Sequence, residues 1–216
     1  YQLYMPPANF TNIVNIIKDA YGNETSITYK RMADATVYTK TNSSGGSPTV
    51  TGYDCLSFSA PHKLVSSIRS SDGIGGYRDI TYKYENAKVF KRGRGILGCE
   101  KVITTDVNNS LQTTIVQEFS PTYYQPAAKQ IEEKKISTNR VLSLKNYINT
   151  LSQSSGIISF IPSSVSTKTY EPNNNNIVKS ATTTYTYDFY NNTTGEVTTF
   201  GNGDKTELTN TYINNT

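Results

Sequence analysis

The chain has 216 residues, enough for one large domain or two small ones, but only 35% are hydrophobic and the mean hydropathy is −0.52, so its core is lean. Seventeen Tyr and seven Phe with no Trp suit half-buried pleated surfaces and point to an all-β protein with much of its sheet in contact with water. A net charge of +4, with 21 basic and 17 acidic residues mixed along the chain, gives no polyanion-directed field, and no run approaches the ~20 apolar residues of a membrane-spanning helix.

In chain order, the first hairpin covers residues 13–30. The apolar run IVNII leads through Asp19, Ala20, Tyr21, Gly22 and Asn23 into TSITYK, where Ile27 and Tyr29 face one way and Thr28 and Lys30 the other. Residues 41–50 (TNSSGGSPTV) read as a flexible Gly/Ser surface loop. The second hairpin runs from LVSSIR through Asp72, Gly73, Ile74, Gly75 and Gly76 into RDITYKYENAKVF. There Ile80, Tyr82 and Tyr84 alternate with Asp79, Thr81, Lys83 and Glu85, a period of two that marks a strand. ITYK occurs at 27–30 and again at 80–83, so the hairpins read as degenerate copies in an array that buries its core by stacking neighbours.

RGRGILG follows at 92–98, with Arg92, Gly93, Arg94, Gly95 and Gly98. Glycines this dense in a β region mark a bulge or a close backbone crossing. A third hairpin joins CEKVITTD to LQTTIVQEF through Val107, Asn108, Asn109 and Ser110. AAKQIEEKK has helical propensity but no 3.6-residue apolar stripe. Ser137 to Arg140 would interrupt a helix, and VLSLKNYI alternates at period two, so two strands are expected around that turn. IISFI and SVSTKTYE then precede a turn at 172–176. In the next strand Tyr185, Tyr187 and Phe189 alternate with Thr184, Thr186 and Asp188. Asn191, Asn192 and Gly195 tolerate positive φ and are expected to reverse the chain. A last reversal at 201–204 leads into TELTNTYI.

Chemistry-bearing constellations are sparse. His62 is the only histidine and has no Gly-x-Ser-x-Gly elbow to pair with, so a loop or strand-edge role is expected. One His and two separated Cys do not make a usual zinc site, and Asp72-Gly73 and Gly201 to Asp204 fall short of a calcium loop. The Gly-rich runs lack the Lys-Ser/Thr ending of a P-loop and open no helix. Glu132 and Glu133, adjacent in a strand, point to opposite faces. The basic run 88–94 reads as a solvated turn rather than a nucleic-acid patch. Cys55 and Cys99 permit a disulfide without demanding one, and the apolar setting of Cys99 favours a buried free thiol. Tyr82, Tyr84, Tyr185 and Tyr187 are read as cross-strand packing ladders in preference to a sugar-stacking platform.

Residues 64–106, with the Asp72-Gly73-x-Gly75-Gly76 turn, ITYKYENAKV and RGRGILGCEKV, resemble the middle region of bacterial insecticidal toxin-complex B-type subunits and the related RHS/YD-repeat proteins. Ile96 and Cys99 stand where that family's Gly-Arg-Gly-Phe-Leu-Gly-Phe-type signature has aromatics. Residues 19–30 are similar to the family's Gly-x-x-Thr-x-Ile-x-Tyr element. Residues 182–192, with Tyr187-Asp188, are similar to its Tyr-Asp element, though without the glycine of its Gly-Asn turn. The resemblance implies a secreted or cell-surface protein whose spiralling hairpin sheets form a hollow shell around a toxic region of the same or a partner chain. It implies a structural segment without catalytic residues, cofactor or metal, and any ADP-ribosyltransferase activity would lie elsewhere because no Glu-x-Glu motif occurs here.

The expectation is therefore one all-β hairpin-repeat region over residues 1–216, forming a curved, twisted sheet. With no visible signal peptide and a start in mid-pattern, it reads as a fragment of a longer polypeptide. Its partners would be other segments of that polypeptide and a toxin region, with no nucleic acid and no membrane span. The rival reading is a cell-surface adhesive or carbohydrate-binding module using exposed tyrosines.

Overall fold

A computed structural model describes residues 2–4, 13–40, 55–90, 95–120, 123, 125–154 and 157–212. The strands, in chain order, are β1 (Gln2–Tyr4), β2 (Ile16–Lys18), β3 (Glu24–Arg31), β4 (Tyr38–Thr39), β5 (Cys55–Ser57), β6 (Lys63–Ser71), β7 (Tyr77–Phe90) and β8 (Gly95–Asp106). They continue as β9 (Leu111–Phe119), β10 (Pro126–Lys135), β11 (Arg140–Ser154), β12 (Ile157–Tyr170), β13 (Ile177–Tyr187), β14 (Thr193–Phe200) and β15 (Lys205–Thr209). No helix occurs among the described residues. All fifteen belong to one open sheet in which thirteen follow a single antiparallel path, β1-β2-β3-β6 and then every strand in order to β15. The segment between β3 and β6 leaves the path. Its β4 lies parallel to β7 and its β5 antiparallel to β7, covering the part of that long strand that β6 is too short to reach.

Register explains the two ITYK copies. Ile27 opposes Ile68, and Ile68 opposes Ile80, so the repeats lie in one row across β6. Directly opposed residues share a sheet face. From Tyr84 a row runs through Val102, Ile115, Ile131, Lys145, Thr167 and Ala181 to Phe200, giving this face its aromatic and aliphatic character. On the other face the row from Glu85 runs through Lys101, Val116, Gln130, Asn146, Ser166 and Thr182, and is largely polar. Three ladders are pinned by opposite charges placed directly across from each other: Lys18–Glu24 at 3.1 Å, Arg69–Asp79 at 2.6 Å and Lys101–Glu85 at 3.0 Å.

The sheet is a single layer, so most side chains remain half-buried. The buried apolar residues described are Met32, Val37, Tyr38, Ala87 and Phe119. Four of these five form one cluster, where the β4–β5 segment folds against β7, with Phe58, Ala60, Leu64, Tyr84 and Cys99 packed around it. The surface loop expected from sequence covers only residues 41–50 of this stretch, which lie outside the described residues, and no expectation addressed the residues of the cluster.

Several local expectations are corrected. Gly195 is not a turn residue but lies in β14 opposite Thr186, where a Cβ would come within 2.5 Å of the Thr186 Oγ1. Phe189 does not extend the aromatic face, because β13 ends at Tyr187. Phe189 sits in the turn, 64% exposed, edge-on to Tyr190. The tyrosine pairs stack along one strand rather than across strands: Tyr82 on Tyr84 at 6.5 Å and Tyr185 on Tyr187 at 6.4 Å. Across the ladders Tyr82 faces Thr104, Tyr185 faces Glu196 and Tyr187 faces Thr193, while Tyr84 lies between Val102 on β8 and another tyrosine, Tyr38, on β4. IISFI and SVSTKTYE form one strand, β12, which passes through Pro162 at a bulge between the Ile148–Ser164 and Asn149–Pro162 pairs. Lys88 belongs to β7, only 12% exposed and 3.7 Å from Glu100, and is not part of a solvated turn.

Candidate functional site

The most strongly specified local structures are aspartate-stapled turns. At the β2–β3 turn the Asp19 Oδ1 accepts from the backbone N–H groups of Tyr21 and Asn23, both at 2.9 Å, and Oδ2 accepts from the Asn23 amide at 2.8 Å. The backbone closes the loop with Asp19 N–H to Asn23 O at 3.1 Å and Gly22 N–H to Asp19 O at 3.2 Å. The β13–β14 turn repeats all five bonds. Asp188 Oδ1 accepts from Tyr190 and Asn192 at 2.8 and 2.9 Å, Oδ2 accepts from the Asn192 amide at 2.9 Å, and the two backbone bonds measure 3.0 and 3.1 Å. The shared signal is Asp-x-Tyr-x-Asn, in Asp19-Ala20-Tyr21-Gly22-Asn23 and Asp188-Phe189-Tyr190-Asn191-Asn192. The sequence reading missed the identity of the two turns, although this spacing carries it.

The fourth position must hold positive φ: Gly22 is at 85° and Asn191 at 66°. Asparagine tolerates that conformation better than other side chains do. Asn191 also does what glycine could not, accepting from the Ser152 hydroxyl and donating to the Ser159 hydroxyl, which ties the turn to β11 and β12. The missing glycine is thus replaced by a tether. Gly22→Ala should destabilise the chain by ~1–2 kcal/mol, whereas Asn191→Gly should retain the turn and lose only the tether. Thermal melts of the two variants check this, and an unperturbed Gly22→Ala would remove the positive-φ requirement.

Asp72 heads a variant of the same staple between β6 and β7. Its Oδ1 accepts from Ile74 N–H at 3.0 Å and Gly76 N–H at 2.8 Å. Gly75, three residues after the aspartate, again has positive φ, as does Gly73, and a Cβ on Gly76 would fall 2.3 Å from the Asp72 carboxylate. Each member of that Asp-Gly-x-Gly-Gly motif therefore has a steric or hydrogen-bonding reason.

Of the RGRGILG segment, Arg92, Gly93 and Arg94 lie outside the described residues. Gly95 opens β8 with φ 69° and Gly98 has φ 116°. Lys88 opposes Gly98 while Val89 opposes Ile96, so Leu97 is the extra residue of a β-bulge, as the glycine density predicts. Cys99 is a half-buried free thiol whose pKa is pushed up by burial. Cys55 opposes Phe90 and Cys99 opposes Ala87 on strands that flank β7 from opposite sides.

Several tyrosines are tied to main-chain carbonyls, while Tyr21, at 93%, is the most exposed of the large hydrophobic side chains described. Tyr187 donates to Pro162 O at 2.6 Å, Tyr29 to Val14 O at 3.0 Å and Tyr38 to Phe58 O at 2.6 Å. Burial, followed by the neighbouring Tyr82, pushes Tyr84 up to about 12. His62 is exposed beside β6, and its carbonyl accepts from Met32 N–H at 2.8 Å. Among the described residues no three His, Cys, Asp or Glu side chains gather where a metal ion could sit, and no helix is long and apolar enough to cross a membrane. A shallow groove of about 450 Å³ lies beside Lys179 and Phe200, with the Lys179 Nζ 5.9 Å from the ring centroid.

The staples carry an acid signature. The Asn23 amide holds the Asp19 carboxyl below the usual range, the Asn192 amide does the same for Asp188, and the Asn109 amide for Asp106. These groups are less readily protonated when folded, so the unfolded chain binds more protons in acid. Their contribution is complete above the ordinary carboxylate pKa of about 4 and is lost as pH falls through the lowered folded values. Urea titrations should give a stability that falls below about pH 4, with a smaller fall for Asp19→Asn combined with Asp188→Asn. An unchanged acid limb in that double variant would remove the staples as its source.

The fold and these turns define a single-layer antiparallel β-meander with aspartate-stapled hairpins. No family model and no curated protein matches the chain.

Proposed function

We propose that the chain is a non-enzymatic scaffold segment of a secreted β-shell, built in the manner of toxin-complex B-type subunits and RHS/YD-repeat proteins. Its partners in this reading are other segments of the same polypeptide and the toxin region they enclose. The observation that carries the reading is the pair of turns at Asp19 and Asp188 with the same five hydrogen bonds. Both occur in the two elements whose sequences resemble the family's repeats. The single-layer meander supports it, because a wall needs two accessible faces and strands added in chain order. The glycine bulge in RGRGILG supports it as well, since bulges bend a sheet.

Electron microscopy of the complete polypeptide tests the proposal. The expected particle is hollow with a β-sheet wall, and a solid particle without a lumen would overturn it. The carbohydrate-binding rival is separated by a glycan array: sugar binding lost on Tyr82→Ala or Tyr185→Ala would sink the purely structural reading.

A further inference from the structure

The dipeptide Asn-Gly occurs once in the sequence, at Asn202-Gly203, in the exposed reversal between β14 and β15. Two contacts arrange the Asn202 carboxamide. Its Oδ1 accepts from the Asp204 N–H at 3.2 Å, and its Nδ2 donates to the Asp204 Oδ2 at 2.6 Å. The Gly203 N–H donates to Phe200 O at 2.9 Å, and Phe200 N–H to Asp204 O at 2.8 Å closes the loop.

An asparagine carboxamide can be attacked by the main-chain nitrogen that follows it, a reaction the chain itself makes intramolecular. The Gly203 nitrogen forms a bond to Asn202 Cγ and gives its proton to water. The Cγ–Nδ2 bond breaks, and Nδ2 takes a proton from water and leaves as ammonia. Water then opens the five-membered succinimide at either carbonyl, leaving aspartate or isoaspartate. The net change is one water in and one ammonia out, with no oxidant or reductant.

Three features favour this step at Asn202. Gly203 has no side chain to crowd the approach, and nothing lies within 4 Å of where a Cβ would be. The Asp204 N–H already meets the oxygen on which negative charge develops as the bond forms. The bond that restrains the nucleophile, Gly203 N–H to Phe200 O, belongs to a turn whose residues 201–204 are all exposed, so local opening releases it at little cost. Asn23, Asn109 and Asn192 lack this combination. Their amides hold the stapling carboxylates of Asp19, Asp106 and Asp188, and the residues that follow them, Glu24, Ser110 and Thr193, carry side chains beside the attacking nitrogen.

We propose that Asn202 is a site of spontaneous covalent modification, converted through a succinimide with Gly203 to aspartate and isoaspartate, and that the conversion unlocks the β14–β15 turn. The unlocking follows from the same contacts. The Nδ2 donor that faces the Asp204 carboxylate becomes a carboxylate oxygen, so an attractive contact at 2.6 Å turns into a meeting of like charges. Isoaspartate also lengthens the main chain by one atom inside a tightly closed reversal. The inference stands apart from the scaffold reading, because it concerns the chemistry of one turn and not what the wall encloses.

Incubation of the folded chain at neutral and mildly alkaline pH, followed by proteolysis and mass spectrometry, tests the chemistry. The peptide spanning residues 201–204 should gain the mass of amide-to-acid conversion before any other asparagine peptide. The gain should be faster at the higher pH, and the product should separate into aspartate and isoaspartate forms. Asn202→Gln should abolish the gain there, because its longer side chain would have to close a six-membered ring. Amide hydrogen exchange reads the consequence. Asn202→Asp should speed exchange at Phe200 and Gly203 severalfold, and adding Asp204→Asn should slow it back toward the parent by removing the like charge. An Asn202 that stays unconverted in the folded chain, another asparagine converting first, or exchange in Asn202→Asp equal to the parent's would each overturn the proposal.

Discussion

Tyr38→Ala should lower the free energy of unfolding by ~3–5 kcal/mol, with Tyr38→Phe alone accounting for ~1–3 kcal/mol. Tyr38 is 4% exposed and anchors the chain's one multi-residue buried cluster among the described residues. Its hydroxyl donates to Phe58 O at 2.6 Å and accepts from the Ala87 N–H at 3.1 Å, joining the excursion to the middle of β7. Phenylalanine keeps the ring but strands a buried N–H, while alanine also opens a cavity between Met32, Val37 and Ala87. Denaturant titration measures both. A second readout is local: Cys99, packed against the cluster, should react faster with a thiol reagent in Tyr38→Ala. A Tyr38→Phe variant as stable as the parent would show that the bridging hydroxyl does not hold the segment down.

Phe119→Ala should have a similar effect, also ~3–5 kcal/mol, at the other buried point of the sheet. Phe119 is 2% exposed at the end of β9, and Ser120 beside it is fully buried. The connection to β10 is closed by Ser120 N–H to Gln125 O at 2.9 Å and Gln125 N–H to Ser120 Oγ at 3.0 Å. The Gln125 amide then reaches Ile158 O on β12 at 2.6 Å. Removing the ring loosens the foundation of a connection that ties three strands, β9, β10 and β12, together. Against a typical total of 5–15 kcal/mol, either variant removes a large fraction of the stability. Denaturant unfolding again measures it, and a loss below 1 kcal/mol would mean the site collapses onto the void.

Much of this fold was legible because the strands are long, alternate at period two and are punctuated by Asp, Asn and Gly. β6 to β11 follow the expected hairpins, including the two strands around 136–139 where helical propensity competed. The competition failed because AAKQIEEKK has no stripe for a helix to bury, whereas β10 finds ladders on both sides. The core was not legible. Met32 and Val37 lie in turns and Tyr38 in the two-residue β4, none of which is long enough to show a periodicity, and their burial arises from a long-range return to β7. Gly195 was misplaced because a glycine near two asparagines reads as a turn. The turn closes instead on the Asp188 carboxylate, four residues before Asn192. The stapled turns share the spacing Asp-x-Tyr-x-Asn, and the hydrogen bonds show why: each of its Asp and Asn residues closes the loop.

The strand path has a consequence for how the chain reaches its native state. Along nearly all of it, each strand pairs with the strand made just before it, through a connection of a few residues. The entropy lost in closing each such connection is small, so the sheet can grow by one strand at a time from any hairpin already formed. The step from β3 to β6 is the exception. It must wait for 31 residues to fold back and meet β7, whose second half cannot be completed from its neighbours in the path alone. The seating of Met32, Val37 and Tyr38 is therefore the expected slow step in assembling the sheet, and refolding kinetics of Tyr38→Ala check it.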